Sequence, residues 1–375
     1  MSHHKACSTL PSCLMYSVSH RHHWIESSAP RLCCAPALVV VCLIVGLATT
    51  CVAEVIEDLM YESPGSTDPH IDLYLPPQGL LLDTPTVLYV HGGAWVSGDK
   101  SEDAAIFHVL ADAGYAVLSA NYTLTTPEHA GYPQAMYDMK AVVRWIRTEG
   151  TQYGLSPTVV ATGPSVGGYF TQFLATTQGA AHFEPLPPPP GGYAIQAGIS
   201  FWGLSDLQQQ AEMMGSSGPL AWFMGGHYDQ DTEHLYIEAS PLHYTDDEDA
   251  PMHLVHGLDD PWYPWRQSFW MHEALTQVGV FCGQEYFAAG HGYEAYGGAL
   301  AAADTMLEMI PTLLAAGRTP DITQDGLVDI DDVLVVVQHW GGCPNLPVDC
   351  PADLDADGVI GIDDLLAVLA AFGGG

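Results

Sequence analysis

The stretch PTVVATGPSVGGYF, Pro157 to Phe170, governs how the rest of the chain is arranged. Thr158, Val159, Val160 and Thr162 form a β-branched run of the kind that makes a buried strand, and the run breaks at Gly163. Gly163, Ser165 and Gly167 then supply a G-x-S-x-G spacing, extended by Gly168, and Tyr169 to Thr177 predicts a helix. A serine on a sharp turn between strand and helix has its Oγ held out of the sheet, and small neighbours are needed where the backbone folds back on itself. Ser165 is therefore a candidate nucleophile. Alone, the same spacing would suit a glycine-rich loop, so the context has to decide.

Working upstream, Val55 to Tyr61 and Ile71 to Leu75 read as two edge strands, with Pro64, Gly65 and Ser66 as turn residues between them. Thr86 to Tyr89 reads as a fully buried strand and runs into HGGAW, His91 to Trp95. Helix Glu102 to Ala113, strand Ala116 to Ser119 and helix Pro133 to Thr148 follow before the Ser165 unit. Such alternation predicts an α/β fold with a mostly parallel sheet, helices on both faces, and ligands at the carboxyl ends of the strands. HGGAW and Ser165 both fall at such ends. Paired glycines after a strand let main-chain N–H groups face a cleft, so Gly92, Gly93 and Ala94, together with the N–H of Val166, are candidates to stabilise an oxyanion. A plain tight βα turn is the competing reading, and His91 is expected to be structural.

Pro85 to Trp95, PTVLYVHGGAW, together with GPSVGG at 163–168, resembles the α/β-hydrolase esterase and lipase superfamily. It is most similar to the branch of hormone-sensitive-lipase-like enzymes, kynurenine formamidases, and feruloyl and acetylxylan esterases. The resemblance implies an acid and a histidine downstream, in that order. Ser240-Pro241 and Asp249-Ala250-Pro251 lead into a strand at Met252 to Val255 and then His256-Gly257-Leu258-Asp259-Asp260-Pro261, similar to the family's H-G-x-x-D segment. By that match Asp260 is the acid; Asp259, otherwise a strand-end turn cap, is the runner-up. After a strand at Gln284 to Phe287, Ala289-Gly290-His291-Gly292 presents His291 on a glycine-flanked loop. The order Ser165, Asp260, His291 is that of the fold. It implies attack by Ser165 on an ester carbonyl, His291 as base, and Asp260 fixing the imidazole. Pro164 and Val166 depart from the family, which more often has an acidic residue or glycine, and alanine; Val166 is expected to narrow the acyl side. The insert 204–250, with Met213, Met214, Trp222, Phe223 and Met224, reads as a lid. Trp262, Tyr263, Trp265 and Tyr293 form an aromatic group suited either to stacking on sugar or ferulate or to plain packing.

At 375 residues, the chain has room for one large α/β domain and something small. Against 44 Asp and Glu stand 9 Lys and Arg, a formal charge of -35, which excludes the basic patch that nucleic acid requires. Residues 1–53 read as a leader: a polar stretch with Arg21 and Arg31, the apolar run Ala35 to Ala48, short for a membrane span, and Cys51-Val52-Ala53 as a cleavage-like site. Met15 is an alternative start, and Cys51 an alternative lipid-anchored terminus. A secreted or cell-surface protein without a stable transmembrane span is expected. Of the nine cysteines, Cys7, Cys13, Cys33, Cys34, Cys42 and Cys51 fall in that leader; of the other three, Cys343 and Cys350 are close enough to pair, leaving Cys282 as a buried thiol in a strand.

The catalytic region is expected over 54–318, and an internal repeat begins after Arg318-Thr319-Pro320. Asp321, Thr323 and Asp325, then Gly326 and Asp332, match Asp353, Asp355 and Asp357, then Gly358 and Asp364. Each is a twelve-place loop with oxygen ligands at the first, third and fifth places, the carbonyls of Leu327 and Val359 at the seventh, and a carboxylate at the twelfth. Two such loops in tandem predict two structural calcium ions, with no cofactor for catalysis. The duplicated loop and helix over 319–375 resembles a dockerin domain, which implies a cohesin-type partner. The reading is thus a secreted serine carboxylic-ester hydrolase, acting on acyl groups such as acetyl or feruloyl of a polysaccharide. Alternatives are an arylformamidase or peptidase-like hydrolase using the same triad, and an inert adaptor whose calcium module mediates assembly.

Overall fold

Thr86 to Val90 shows no polar alternation, the pattern of a strand covered on both faces, and all five residues are buried. The computed structural model describes residues 53–80, 84–184, 186–215, 217–317, 322–323, 328–342, 352–354 and 359–372. The expected leader up to residue 52 and the cysteines Cys343 and Cys350 lie outside the described residues. Eight strands form one sheet: β1 Glu54–Met60, β2 His70–Leu75, β3 Thr86–Val90, β4 Ala116–Ala120, β5 Val159–Pro164, β6 Ala197–Phe201, β7 Met252–Gly257 and β8 Cys282–Phe287. Their spatial order is β1-β2-β4-β3-β5-β6-β7-β8. β2 runs antiparallel to both β1 and β4, and every other pairing is parallel. Only β1 is an edge on that side. The edge position expected for β2 is corrected: Ile71 to Tyr74 are buried between two neighbours.

The helices are α1 Ala104–Asp112, α2 Gln134–Arg147, α3 Val166–Thr176, α4 Leu207–Met214, α5 Pro219–Met224, α6 Glu233–Glu238, α7 Arg266–Val278, α8 Tyr293–Tyr296 and α9 Ala299–Ala316. Successive side chains of a strand face opposite ways, and β3 divides accordingly. Val87 and Tyr89 join Ile106, Phe107 and Leu110 of α1 and Met306, Ile310 and Leu313 of α9 in one core. Leu88 and Val90 join Met139 and Val142 of α2, Phe170 and Phe173 of α3 and Met271 of α7 in the other. Among the described residues α9 is the one helix long and apolar enough to cross a membrane, and its buried stripe lies in the first core. Cys282 is a free thiol, buried at the start of β8.

Beyond α9, α10 Ile330–Gln338, β9 Gly341–Gly342, β10 Val359–Ile360 and α11 Ile362–Ala371 complete the described elements. Val336, Ala352, Ile360 and Val368 form a small core of their own. The sequence predicts apolar helical stretches over Val333 to Trp340 and Leu365 to Phe372, and α10 and α11 start three residues before them. The carboxylate of Asp332 accepts the N–H of Asp329 and of Thr323, and that of Asp364 accepts the N–H of Gly361 and of Leu354. The bonds from Asp329 and Gly361 satisfy main-chain donors at the two helix starts, and those from Thr323 and Leu354 tie the preceding segment to each first turn.

Candidate active site

Ser165 links β5 directly to α3, with φ 58° and ψ −117°. A side chain other than glycine at positive φ costs about 1–3 kcal/mol and persists only where its surroundings enforce it. Here the Ser165 N–H donates to the Phe201 carbonyl of β6 at 2.8 Å. The turn also depends on close packing: a β-carbon placed on Gly167 would lie 1.9 Å from the Val90 carbonyl oxygen. So α3 sits against the end of β3 only with glycine at 167. The helix therefore begins at Val166, three residues before the expected Tyr169, with no spacer after the serine.

The HGGAW loop leaves β3 beside this turn. A β-carbon on Gly92 would lie 3.4 Å from the Ser165 Cβ. The Gly92 carbonyl accepts the His91 Nδ1–H at 2.8 Å and the Tyr122 hydroxyl at 3.1 Å, and the two rings stack at 4.4 Å. Burial holds the His91 imidazole below its ordinary pKa, so His91 is a neutral brace for the loop. Among the described residues no main-chain carbonyl accepts the N–H of Gly93 or Ala94. As the first residue of α3, Val166 likewise has an N–H without an intrahelical acceptor.

The turn after β7 carries the carboxylate. Asp260 Oδ1 accepts the N–H of Trp262 at 2.8 Å and of Tyr263 at 3.0 Å, and Oδ2 accepts His291 Nδ1–H at 2.6 Å. His256 Nε2 lies 3.5 Å from the same oxygen. Burial acts to raise the Asp260 carboxyl, but the two imidazoles and the Tyr263 N–H outweigh it and hold the group well below the usual carboxylate range. Asp259 is exposed, and its N–H donates to the Ala289 carbonyl at 3.0 Å, fastening the acid turn to the histidine loop. Of the two candidate acids, Asp260 is the one that meets His291. With Nδ1 committed to a carboxylate, the imidazole has Nε2 left to exchange a proton.

Three aromatic rings surround His291: Tyr263 at 5.3 Å, Trp202 at 6.0 Å and Trp262 at 6.2 Å between centroids. Trp202, at the carboxyl end of β6 with φ 41°, escapes a reading of motifs; its position immediately after a buried strand is the only signal it gives. Tyr293 belongs to packing, because its hydroxyl is bonded to that of Tyr89 at 2.9 Å, which in turn donates to Asp103. Trp265 packs on Phe269 and Tyr286. In the 204–250 insert, Phe223 stacks on Trp95 at 4.5 Å and the Ala239 carbonyl accepts the Tyr169 hydroxyl at 2.8 Å. The insert is thus anchored next to the HGGAW loop, while Met213, Met214 and Trp222 stay exposed.

Of the expected calcium ligands, Asp321, Asp325, Leu327, Asp355 and Asp357 lie outside the described residues. Thr323, Asp332, Asp353, Val359 and Asp364 are described. Among the described residues no group of three or more His, Cys, Asp or Glu side chains is gathered as for a metal. The donor chemistry of both loops, oxygen throughout, is that preferred by a hard cation.

A strained serine at a strand–helix turn, on a sheet of this order and connection, with a histidine–aspartate pair on the following strands' loops, defines an α/β-hydrolase. The BD-FAE family model matches residues 71–275, more than half of the chain, and the chain belongs to that family. The Mycobacterium tuberculosis protein described as "Probable carboxylic ester hydrolase LipM" is 28% identical over 59% of this chain and 52% of its own length. Esterase LipQ of the same organism is 26% identical over 52% of this chain and 47% of its own. The chain spans about half the length of these curated relatives. Among solved structures, a truncated carbohydrate esterase from gut microbiota superposes with a TM-score of 0.61 at 21% identity, covering 72% of this chain and 98% of that one. At this identity the likeness is one of fold.

Proposed function

We propose that the protein is a serine carboxylic-ester hydrolase in which Ser165 is the nucleophile, His291 the general base and Asp260 the group that orients and stabilises the imidazolium. The observation that carries this reading is the 2.6 Å bond from His291 Nδ1 to the buried Asp260 carboxylate, on the loops that follow β7 and β8. In acylation His291 Nε2 takes the Ser165 proton as Oγ bonds to the carbonyl carbon, and the N–H groups of Gly93, Ala94 and Val166 receive the charge on the carbonyl oxygen. Gly92 contributes by position, since its main chain lies against the serine turn. Protonation of the leaving alkoxide by His291 gives the acyl-enzyme, and water releases the acid.

The substrate we favour is an acylated polysaccharide, outside the cell. Support comes from structural relatives whose names speak of carbohydrate esterase activity and from Trp262, 64% exposed and beside the His291 ring, where a sugar face could stack. For the C-terminal repeat we propose a calcium-dependent, dockerin-like docking module. Ile330, Leu334, Val337 and Trp340 recur as Ile362, Leu366, Leu369 and Phe372, all exposed, so each helix presents an apolar stripe of the kind a protein partner covers. Calcium held by Asp321, Thr323, Asp325, Leu327 and Asp332, and by Asp353, Asp355, Asp357, Val359 and Asp364, would neutralise the clustered carboxylates.

Turnover of acetylated xylan, methyl ferulate and N-formylkynurenine by the full chain tests the substrate class. Release of acetate or ferulate, lost in Ser165→Ala with the fold retained, is expected. Turnover of the formamide alone would move the assignment to amide hydrolysis, and no turnover of any ester would favour an adaptor.

A further inference from the structure

The turn that carries Asp260 joins β7 to α7, and one side chain from each of those elements closes on it. His256 is the penultimate residue of β7 and Ser268 lies in the first turn of α7; both are fully buried. His256 Nε2 lies 3.0 Å from the Tyr263 carbonyl oxygen and 3.5 Å from Asp260 Oδ2. A carbonyl and a carboxylate have no proton to give, so Nε2 carries the hydrogen of this imidazole. The other ring nitrogen, Nδ1, lies 2.7 Å from Ser268 Oγ, whose hydroxyl donates to it. Tyr263 in turn donates its N–H to Asp260 Oδ1 at 3.0 Å. A continuous line of bonds thus runs from α7 through Ser268, His256 and Tyr263 to the carboxylate.

Asp260 Oδ2 orients His291 only while it stays in hydrogen-bond reach of Nδ1, now at 2.6 Å. The carboxylate sits on a turn, which can hinge, whereas β7 is buried along its whole length and α7 packs Met271 and Leu275 into the core. We infer that His256, with its tautomer fixed by Ser268, is a positioning residue for the acid: it holds the Tyr263 carbonyl, so that the turn stays closed, and faces its N–H to the same Asp260 oxygen that His291 uses. It exchanges no proton with serine or substrate and acts through Asp260. Were the tautomer reversed, an unprotonated Nε2 would face two acceptors, and their repulsion would open the turn. Displacing a catalytic group by about 1 Å can cost on the order of a hundredfold in rate. The inference rests on the esterase reading above.

His256→Phe removes both ring nitrogens, and Ser268→Ala removes only the hydroxyl that fixes the tautomer. With p-nitrophenyl acetate, and rates expressed per folded molecule, kcat/KM is expected to fall about thirtyfold in the first and about fivefold in the second. His256→Gln, whose amide can place an N–H near the Tyr263 carbonyl, should recover most of the loss. A merely structural role would lower the rate equally in any background, so each substitution is repeated in Asp260→Asn. There the bond that His256 serves is already lost, and neither substitution should cost more than about twofold further. Equal losses in the two backgrounds, or a His256→Phe protein within about twofold of the unsubstituted one, would overturn the assignment while leaving the esterase reading intact. Should His256→Phe fail to fold, Ser268→Ala decides by the same comparison: a rate within about twofold of the unsubstituted protein, or an equal loss in both backgrounds, overturns it. If the unsubstituted protein hydrolyses no ester, the esterase reading fails and the role of His256 falls with it.

Discussion

The Asp260 carboxylate is satisfied three times over, by two main-chain N–H groups and an imidazole, and its neighbour Asp259 points away from this network into solvent. Asp260→Asn should therefore keep the turn nearly intact, yet present the wrong tautomer of His291 to the serine. A fall in kcat of roughly 10⁴-fold is expected, against less than about twofold for Asp259→Asn, measured as p-nitrophenyl acetate turnover at neutral pH. Equal losses in the two variants would show that the acid has been assigned to the wrong aspartate. The proposed triad residues could be picked out because each sits in a short local motif at a strand end. Trp202 could not, because its place beside the His291 ring depends on contact with a residue tens of positions away, and no spacing within its own segment records that contact.

Among the elements, α2 carries the least expected feature. Lys140 is fully buried, and its Nζ donates to the Thr177 carbonyl at 2.6 Å and lies over the Phe173 ring. Burial lowers its pKa to about 7, with Glu184 acting weakly the other way. The folded value lies below the unfolded value of about 10.4, so between those limits the unfolded chain holds a proton the folded chain lacks. Stability should accordingly rise as pH increases from about 7 towards 10, by on the order of a few kcal/mol. Lys140→Met should flatten that rise and stabilise the protein at pH 6, as read by urea unfolding across the range; a rise of the same size in the variant would contradict the assignment. A lysine inside an amphipathic helix gives no sign in sequence of facing inward. Strand and helix order, by contrast, was readable from β-branched runs and glycine breaks, whereas the ends of α3, α10 and α11 shifted because turn and cap bonds, not apolar periodicity, fix where a helix starts.

Over the molecule as a whole, a net charge of -35 is carried by a hydrolase sheet and a C-terminal repeat whose acidic residues recur at ligand spacing. If calcium organises that repeat, a chelator should sharply increase protease cleavage after residue 318 in the full chain. The rate of p-nitrophenyl ester hydrolysis should hold within about twofold, because none of the triad or oxyanion residues lies in the repeat. Cleavage unaffected by chelator and by added calcium would remove the metal from the account. The sheet was foreseeable from alternating elements, but its antiparallel β2 and the anchoring of the 204–250 insert on Trp95 were not, since both depend on pairings between distant segments. The proposed chemistry turns on one side chain, and the most direct test is to treat the full chain with a fluorophosphonate and locate the adduct by peptide mass spectrometry. A single adduct on Ser165, absent in Ser165→Ala together with ester hydrolysis, is the predicted result. Labelling elsewhere, or hydrolysis that survives Ser165→Ala, would contradict it.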